Sequence, residues 1–401
     1  MPALARLQTV WRRQPARVVT TILYAALVLV FLNALRPYYH RNTGFTELID
    51  FGDQFYHRTI PAAREAPHVA RADSWGYDGQ FYAQLALEPL LRDRALDQAL
   101  DYPPYRARRI LFSWTAFVIG LGRPAWILKV FAVQNIVAWL ALAGLLTIWI
   151  PPVRLRNVVP WTGCLFGAGM MFSVRLALLE GPGLLVVTLA ILAHERSRHW
   201  LATVLMGLSG LGRETNMIGS GLLVERMPRS RKAWLDVAAK AAVVVLPFML
   251  WALYVHSVYP ELPYSKQANF SLPLAGYLQK WSATVGEISR LGWTKTGARF
   301  ECLMLIGLTT QAIFLAIRRD WTSAWWRMAV PYCVLFLVTS YIVWEGEPSA
   351  APRVLLPMSF AFNILIARLP GRWFWPLAVL GNLSVLSGID QIKLPGISNL
   401  I

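Results

Sequence analysis

The acids and arginines able to do chemistry in this chain stand in short polar breaks between apolar blocks. One break is Trp75-Gly-Tyr77-Asp78-Gly-Gln80-Phe81-Tyr82. Asp-Gly is a turn signal, and Phe81, Leu85 and Ala86 follow at helical spacing until Pro89. Asp78 is therefore expected at the start of a short interfacial helix, where a carboxylate suits the positive end of the helix dipole. Tyr77, Phe81 and Tyr82 are rings of the kind that settle at a membrane surface. An acid held there can act as a general base or as a ligand for a metal or sugar; the plainer role is a capping Asp in a turn.

Three further breaks carry charge. In Arg175-Leu-Ala-Leu-Leu-Glu180-Gly-Pro-Gly183 a helix break beside Glu180 is expected to expose backbone amides, so that Glu180 can meet hydroxyls and Arg175 a phosphate. The plainer reading is a solvated Arg–Glu pair. Arg213-Glu214-Thr-Asn216 interrupts two short apolar halves, as a broken helix lining a cavity does. Arg108 and Arg109 open an apolar block, as phosphate ligands or as snorkelling anchors. Arg353, Lys266 and Arg299 are further phosphate candidates, and Glu345 with Glu347 is a weak metal hint. His40, His57, His68 and His256 lack metal-ligand spacing.

The elements that must hold these residues are apolar. The chain has 401 residues, 56% of them hydrophobic, above the usual share of soluble domains. Apolar blocks recur at 18–35, 110–122, 126–150, 158–179, 183–193, 201–211, 217–224, 237–254, 300–317, 328–343, 354–367 and 373–386. An all-α polytopic membrane protein is expected, a single membrane domain of about 10–12 helices. The net charge of +17 comes from basic clusters between the blocks, which is how positive-inside loops look, and no nucleic-acid motif accompanies it. Cys164, Cys302 and Cys333 lie in apolar blocks with no CxxC, so neither a disulfide framework nor a cysteine metal site is expected.

Residues 1–17 read as a cytoplasmic N-terminus, with an uncleaved first span over 18–36. Residues 37–109 form a long outer loop expected to hold short helices at 45–56 and 80–87. Leu91, Leu96 and Leu100 are expected to lie flat on the membrane. A helical bundle with broken helices over 110–255, a second outer loop over 256–299 and further spans over 300–401 complete the reading. If 110–122 does not span, every basic cluster (154/156, 196/198, 226–232, 318/319 and 368/372) falls inside. The acids Asp78, Glu180, Glu214, Glu345 and Glu347 then collect outside.

The segment 76–89, Arg108-Arg109-Ile-Leu and Gly212-Arg-Glu-Thr-Asn216 together resemble the GT-C superfamily of membrane glycosyltransferases, in a bacterial subgroup linked to cell-surface glycopolymer formation. Asp78-Gly-Gln-Phe-Tyr82 is the strongest match; after about residue 223 the likeness is one of generic spans. The resemblance implies a polyprenyl-phosphate-linked sugar donor and inverting transfer to a glycan or lipid acceptor on the outer face of the bacterial inner membrane. Asp78 occupies the position of the catalytic Asp, Glu180 that of a second acid, and Glu214 joins them as a catalytic candidate. Arg109, Arg175, Arg213, Arg353 and Lys266 are expected on the donor phosphate, and Trp75, Tyr77, Gln80 and Tyr82 on sugar or lipid. The first loop has no Asp-X-Asp, which leaves a divalent metal (Mg or Mn) open. A lipid-linked sugar transporter or flippase, or a non-catalytic scaffold of a glycan-assembly complex, is the alternative.

Overall fold

An apolar run surrounded by lipid has to satisfy its backbone polar groups within itself, and a helix is the one-segment solution. The computed structural model describes residues 2–226, 228–262, 269–293, 296–346 and 349–393, and helices dominate them. Among the described residues four helices are long and apolar enough to cross a membrane: Pro15–Tyr38, Pro124–Leu146, Arg231–Val258 and Gly297–Arg318. In Arg231–Val258 only 17% of the most apolar window is buried, and Leu246, Leu250 and Leu253 are exposed. A helix in water would turn such residues inward. The first helix is docked by rings: Phe31 stacks on Trp139 with centroids 3.7 Å apart, and Tyr24 on Trp161 at 4.3 Å.

Contacts sort the bundle into two ends. Trp149 Nε1 donates to Glu195 at 2.8 Å, and its ring meets Trp325 at 5.1 Å. Tyr24 Oη donates to the carbonyl of Ile150, Arg156 lies over Phe374, and Arg327 donates to His194 and to the Leu222 carbonyl. The basic clusters at 154/156, 196/198, 226–232, 318/319 and 368/372 thus border one end. Roughly 20 Å back along the helix from Trp149, at 1.5 Å per residue, Asn135 Nδ2 donates to the Leu178 carbonyl and fixes the turn before Glu180. The loop residues 37–109 pack at this second end. The block 110–122 contributes only Leu111–Ile119, nine residues, far short of a bilayer.

Four local expectations change. The 45–56 segment is not one helix. It forms 3₁₀ turns at Thr46–Ile49 and Asp53–Arg58 around a two-residue strand, Phe51–Gly52, which pairs in parallel with Ala70–Arg71. The helix at Asp78–Leu87 exists as expected, with Asp78 in its first turn, but it is not interfacial. Residues Gly79 to Leu87 are all buried, because the helix packs against Leu111–Ile119 and Pro124–Leu146. Leu91, Leu96 and Leu100 are buried as well, so they serve the protein core instead of lying on a membrane. Gly181-Pro182-Gly183 does not break a helix: it lies in the first turn of Glu180–Glu195, where a proline near the start lacks only a bond the helix could not make. The break falls just before, at 176–179.

Gly79 lets the Asp78 helix seat. A Cβ there would overlap the carbonyl oxygens of Leu176 and Ile49, both backbone atoms with nowhere to go. Gly79→Ala should therefore cost about 1–3 kcal/mol, the usual range for overpacking, and lower the thermal unfolding temperature in detergent. Gly286, in helix Ala275–Leu291, has nothing within 4 Å of its virtual Cβ. Gly286→Ala should leave stability unchanged or raise it by up to about 1 kcal/mol. Equal losses for both variants would refute the close packing at Gly79.

Candidate functional site

The short helix Pro103–Ala107 begins with two prolines whose fixed φ suits a first turn. Its last turn carries Arg106, and Arg108 and Arg109 follow. These three arginines fan out into the space below the Asp78 helix. Arg106 donates through Nη2 to Asp78 Oδ1 at 2.7 Å and forks onto Asp101 at 2.8 and 2.7 Å. Its guanidinium lies over the Phe81 ring, 4.9 Å from the centroid. Tyr82 Oη accepts from Arg106 at 3.3 Å and from Arg109 at 3.0 Å. Arg109 forks onto Glu214 at 2.8 and 2.6 Å, and Arg108 adds a third bond to Glu214 at 2.6 Å. The Tyr105 ring stacks against both Arg108 and Arg109, with centroid distances of 4.3 and 4.5 Å.

A second string of bonds closes the circuit. Glu180 Oε1 accepts from Arg213 and, at 3.4 Å, from Arg353. Arg353 Nη2 donates to Tyr77 Oη at 3.1 Å. Tyr77 adjoins Asp78 in sequence, and Arg213 adjoins Glu214, so one ring of contacts joins five parts of the chain. Arg353 comes from the turn Ala351–Val354, against which the helix Ala168–Arg175 packs with a glycine, Gly169, at the Pro352 carbonyl. Five arginines (106, 108, 109, 213 and 353) face four carboxylates (78, 101, 180 and 214), which leaves a formal charge of +1.

The carboxylates differ in what they have left to offer. Both oxygens of Glu214 are held by Arg108 and Arg109. Glu180 is 7% exposed, and its Oε2 is buried with no hydrogen-bond partner among the described residues. Asp78 has one oxygen on Arg106; the other makes no hydrogen bond among the described residues, and the side chain is 29% exposed. Burial pushes the Asp78 carboxyl up. Arg106, Arg353 and the Arg106 hydrogen bond together outweigh that, so it sits below the usual carboxylate range. Arg213 bonds Glu180 through one nitrogen, and its buried Nε has no hydrogen-bond partner among the described residues.

The remaining expected site residues fall as follows. Trp75 is exposed at the rim. Gln80 and Tyr82 are buried and committed to the protein itself, Gln80 through the backbone of Gly52 and Trp75. Arg175 stands apart from the ring: its guanidinium lies over Tyr38, 4.4 Å from the centroid, and it forms no pair with Glu180. Lys266 and Glu347 lie outside the described residues, and Glu345 is exposed. Arg106, Asp101 and Tyr105 join the site without having been singled out in the sequence. The available signal was three arginines within four positions after a Pro-Pro helix start.

Mg²⁺ and Mn²⁺ want several free carboxylate or carbonyl oxygens. Asp101, Glu180 and Glu214 are each tied to guanidinium groups, and the ring carries net positive charge, so these residues do not fit such an ion. The metal-capable group among the described residues is His194, His199 and Glu225, at the opposite end of the bundle. There Arg327 donates to His194 Nε2 at 3.1 Å, and the two histidines face each other through Nδ1 at 3.3 Å. His194 Nε2 also lies 3.2 Å from Glu225 Oε1. No protein-family model matches this sequence, and no curated protein or solved structure does.

Two outcomes follow from the ring. Glu214→Gln removes the countercharge of two buried arginines and should cost about 3–5 kcal/mol, as breaking a buried pair does; equal unfolding temperatures for variant and parent would show the pair to be dispensable. The Asp78 carboxyl is held below its unfolded value of about 4, so its contribution is complete above that pH and is lost as pH falls through the folded value. The parent should therefore lose stability below about pH 4, with a shallower acid limb in Asp78→Asn. Superimposable pH–unfolding curves would contradict the depressed pKa.

Proposed function

We propose that this protein is a GT-C-type glycosyltransferase of the membrane, moving a sugar from a polyprenyl-phosphate carrier to a hydroxyl of a cell-surface glycan or lipid. One observation carries this assignment: a carboxylate with one oxygen anchored on Arg106 and the other open stands within a ring of five largely buried arginines. Sugar transfer from a lipid phosphate needs that combination. The acceptor oxygen bonds to the anomeric carbon, the bond from that carbon to the phosphate oxygen breaks, and its electron pair leaves with the phosphate. Guanidinium groups held in place before the reaction stabilise that charge without reorganising. Arg213 has donors to spare for it, and Arg353 and Arg109 supply field.

The hydroxyl proton passes to the open oxygen of Asp78. A carboxylate paired with arginine is a weak base, and general bases work best with a pKa near the operating pH. An acceptor that enters beside Asp78 competes with Arg106 for it and raises its affinity for the proton. Trp75 at the rim is placed to stack on a sugar, and the apolar helices offer the carrier chain a place among lipids. By the positive-inside rule the end bordered by basic clusters faces the cytoplasm. The arginine–carboxylate ring then opens outward, where lipid-linked sugars are used.

Purified protein should release sugar from radiolabelled polyprenyl-phosphate sugars. Asp78→Asn, folded to the same extent, should be slower by about 10²–10⁴-fold, the usual worth of a general base. Equal turnover by the two proteins would remove Asp78 from the mechanism. Lipid binding without turnover of any donor would instead point to a transporter or scaffold.

A further inference from the structure

Arg175 is the charged residue that the ring leaves unused. It ends the helix Ala168–Arg175 and is only half-buried. Its Nη1 is shielded from solvent without a hydrogen-bond partner, and no hydrogen bond or ion pair holds any of its nitrogens among the described residues. The Tyr38 ring holds the guanidinium flat, 4.4 Å from its centroid. An arginine stacked on an aromatic face, with its planar fork unspent, is already in the geometry that bidentate binding of an oxyanion requires.

This guanidinium lines a cavity of about 560 Å³, within the range that holds a small molecule. Arg71 and Lys393 bring two more cations to the same wall, and Asp50 and Glu47 bring two acceptors. Arg71 meets Asp50 only loosely, at 3.6 Å. Asp50 is 6% exposed and in a left-handed backbone conformation with φ of 59°, so its carboxylate is held in place by the fold. The lining sets Arg71, Arg175 and Lys393 against Asp50 and Glu47, and Glu47 bonds His40 at 2.7 Å. Cations with donors free suit a phosphate, and carboxylates beside them suit hydroxyls.

The cavity stands back to back with the Asp78 ring. Leu176 follows Arg175 and Ile49 precedes Asp50, and the carbonyl oxygens of Leu176 and Ile49 are the two atoms that close on Gly79. The Asp50 carbonyl also accepts from the Tyr77 N–H at 3.0 Å. One backbone layer separates the two sites.

We propose that this cavity binds the phosphate end of a hydroxyl-bearing phosphate, with Arg175 as its principal ligand, Arg71 and Lys393 as supporting cations, and Asp50 receiving hydroxyl hydrogen bonds. Glycerol phosphate is the smallest compound with this chemistry. It occurs free in solution and as the headgroup of phosphatidylglycerol. Binding here does not depend on sugar transfer, and a binding assay reads it whether or not the protein turns over a donor.

The test uses the full chain in detergent. Glycerol 3-phosphate is titrated by calorimetry, and retained phosphatidylglycerol is counted by native mass spectrometry. Arg175→Met keeps the apolar stem and removes the fork. It should weaken whichever probe the parent binds by at least about 10-fold, the scale of a lost charge-assisted bidentate bond. Arg71→Met, at an exposed position, should weaken it less and guards against an Arg175 variant that does not fold. Binding of the soluble phosphate identifies a water-borne ligand, and retention of the lipid alone identifies a headgroup; both support the site. A parent that binds neither probe, or an Arg175→Met protein that binds as the parent does, would overturn it.

Discussion

Guanidinium charge removed from water has to be matched inside the protein, and the second end of this bundle is built around that requirement. Arg106, Arg108, Arg109, Arg213 and Arg353 are each less than a tenth exposed. An unmatched charge at that depth costs several kcal/mol, so the fold brings in a carboxylate or a ring oxygen for each. Arg106 has Asp78 and Asp101, Arg109 has Glu214 and two tyrosine hydroxyls, and Arg213 and Arg353 share Glu180. The partners come from segments as distant as Tyr77 and Arg353, which makes the ring a clamp on tertiary structure.

The irregular backbone at this end serves the same requirement. A continuous helix would carry Arg213 and Glu214 past the site. Instead Gly212 ends one helix, and a 3₁₀ segment, Glu214–Leu223, follows. Glu180 opens a helix whose preceding turn is tied down by Asn135 and Ser173. Backbone of this kind within an apolar bundle is tolerable where protein groups satisfy it. The helix Asp78–Leu87 is buried for a related reason: its Tyr82 hydroxyl bridges two arginines, and its Ser113 contact fixes the Tyr82 carbonyl. A helix lying on a membrane surface could not do this.

Matching also decides which acid is available for chemistry. Glu214 is fully engaged and Glu180 is enclosed, whereas Asp78 keeps one oxygen open at the price of a lowered proton affinity. Arg175 shows the complementary condition, a cation held by no hydrogen bond or ion pair among the described residues, stacked on a ring at the wall of a cavity that it shares with Asp50. The two sites share the backbone around Ile49, Gly79 and Leu176. Their separation also explains why Arg175 and Glu180, near neighbours in sequence, do not pair: the break at 176–179 turns them to opposite sides.

The sequence by itself determined the helical class, the four apolar blocks at 18–35, 126–150, 237–254 and 300–317 that become helices long enough to cross a membrane, the helix that starts at Asp78 and the broken helix at Arg213-Glu214, whereas the block 158–179 divides into two short helices. Each follows from local pattern: hydropathy over a window, an Asp-Gly turn, a run of polar residues between apolar halves. Only the tertiary structure decided that Arg106 would pair with Asp78, that Gln80 and Tyr82 would be spent inside the protein, and that Arg175 would leave the ring. Leu91, Leu96 and Leu100 show the same limit, since an amphipathic spacing gives an apolar face but not what covers it. Pairing of charges depends on distance in space, and residues 78, 106, 180, 214 and 353 acquire neighbours only once the bundle has closed.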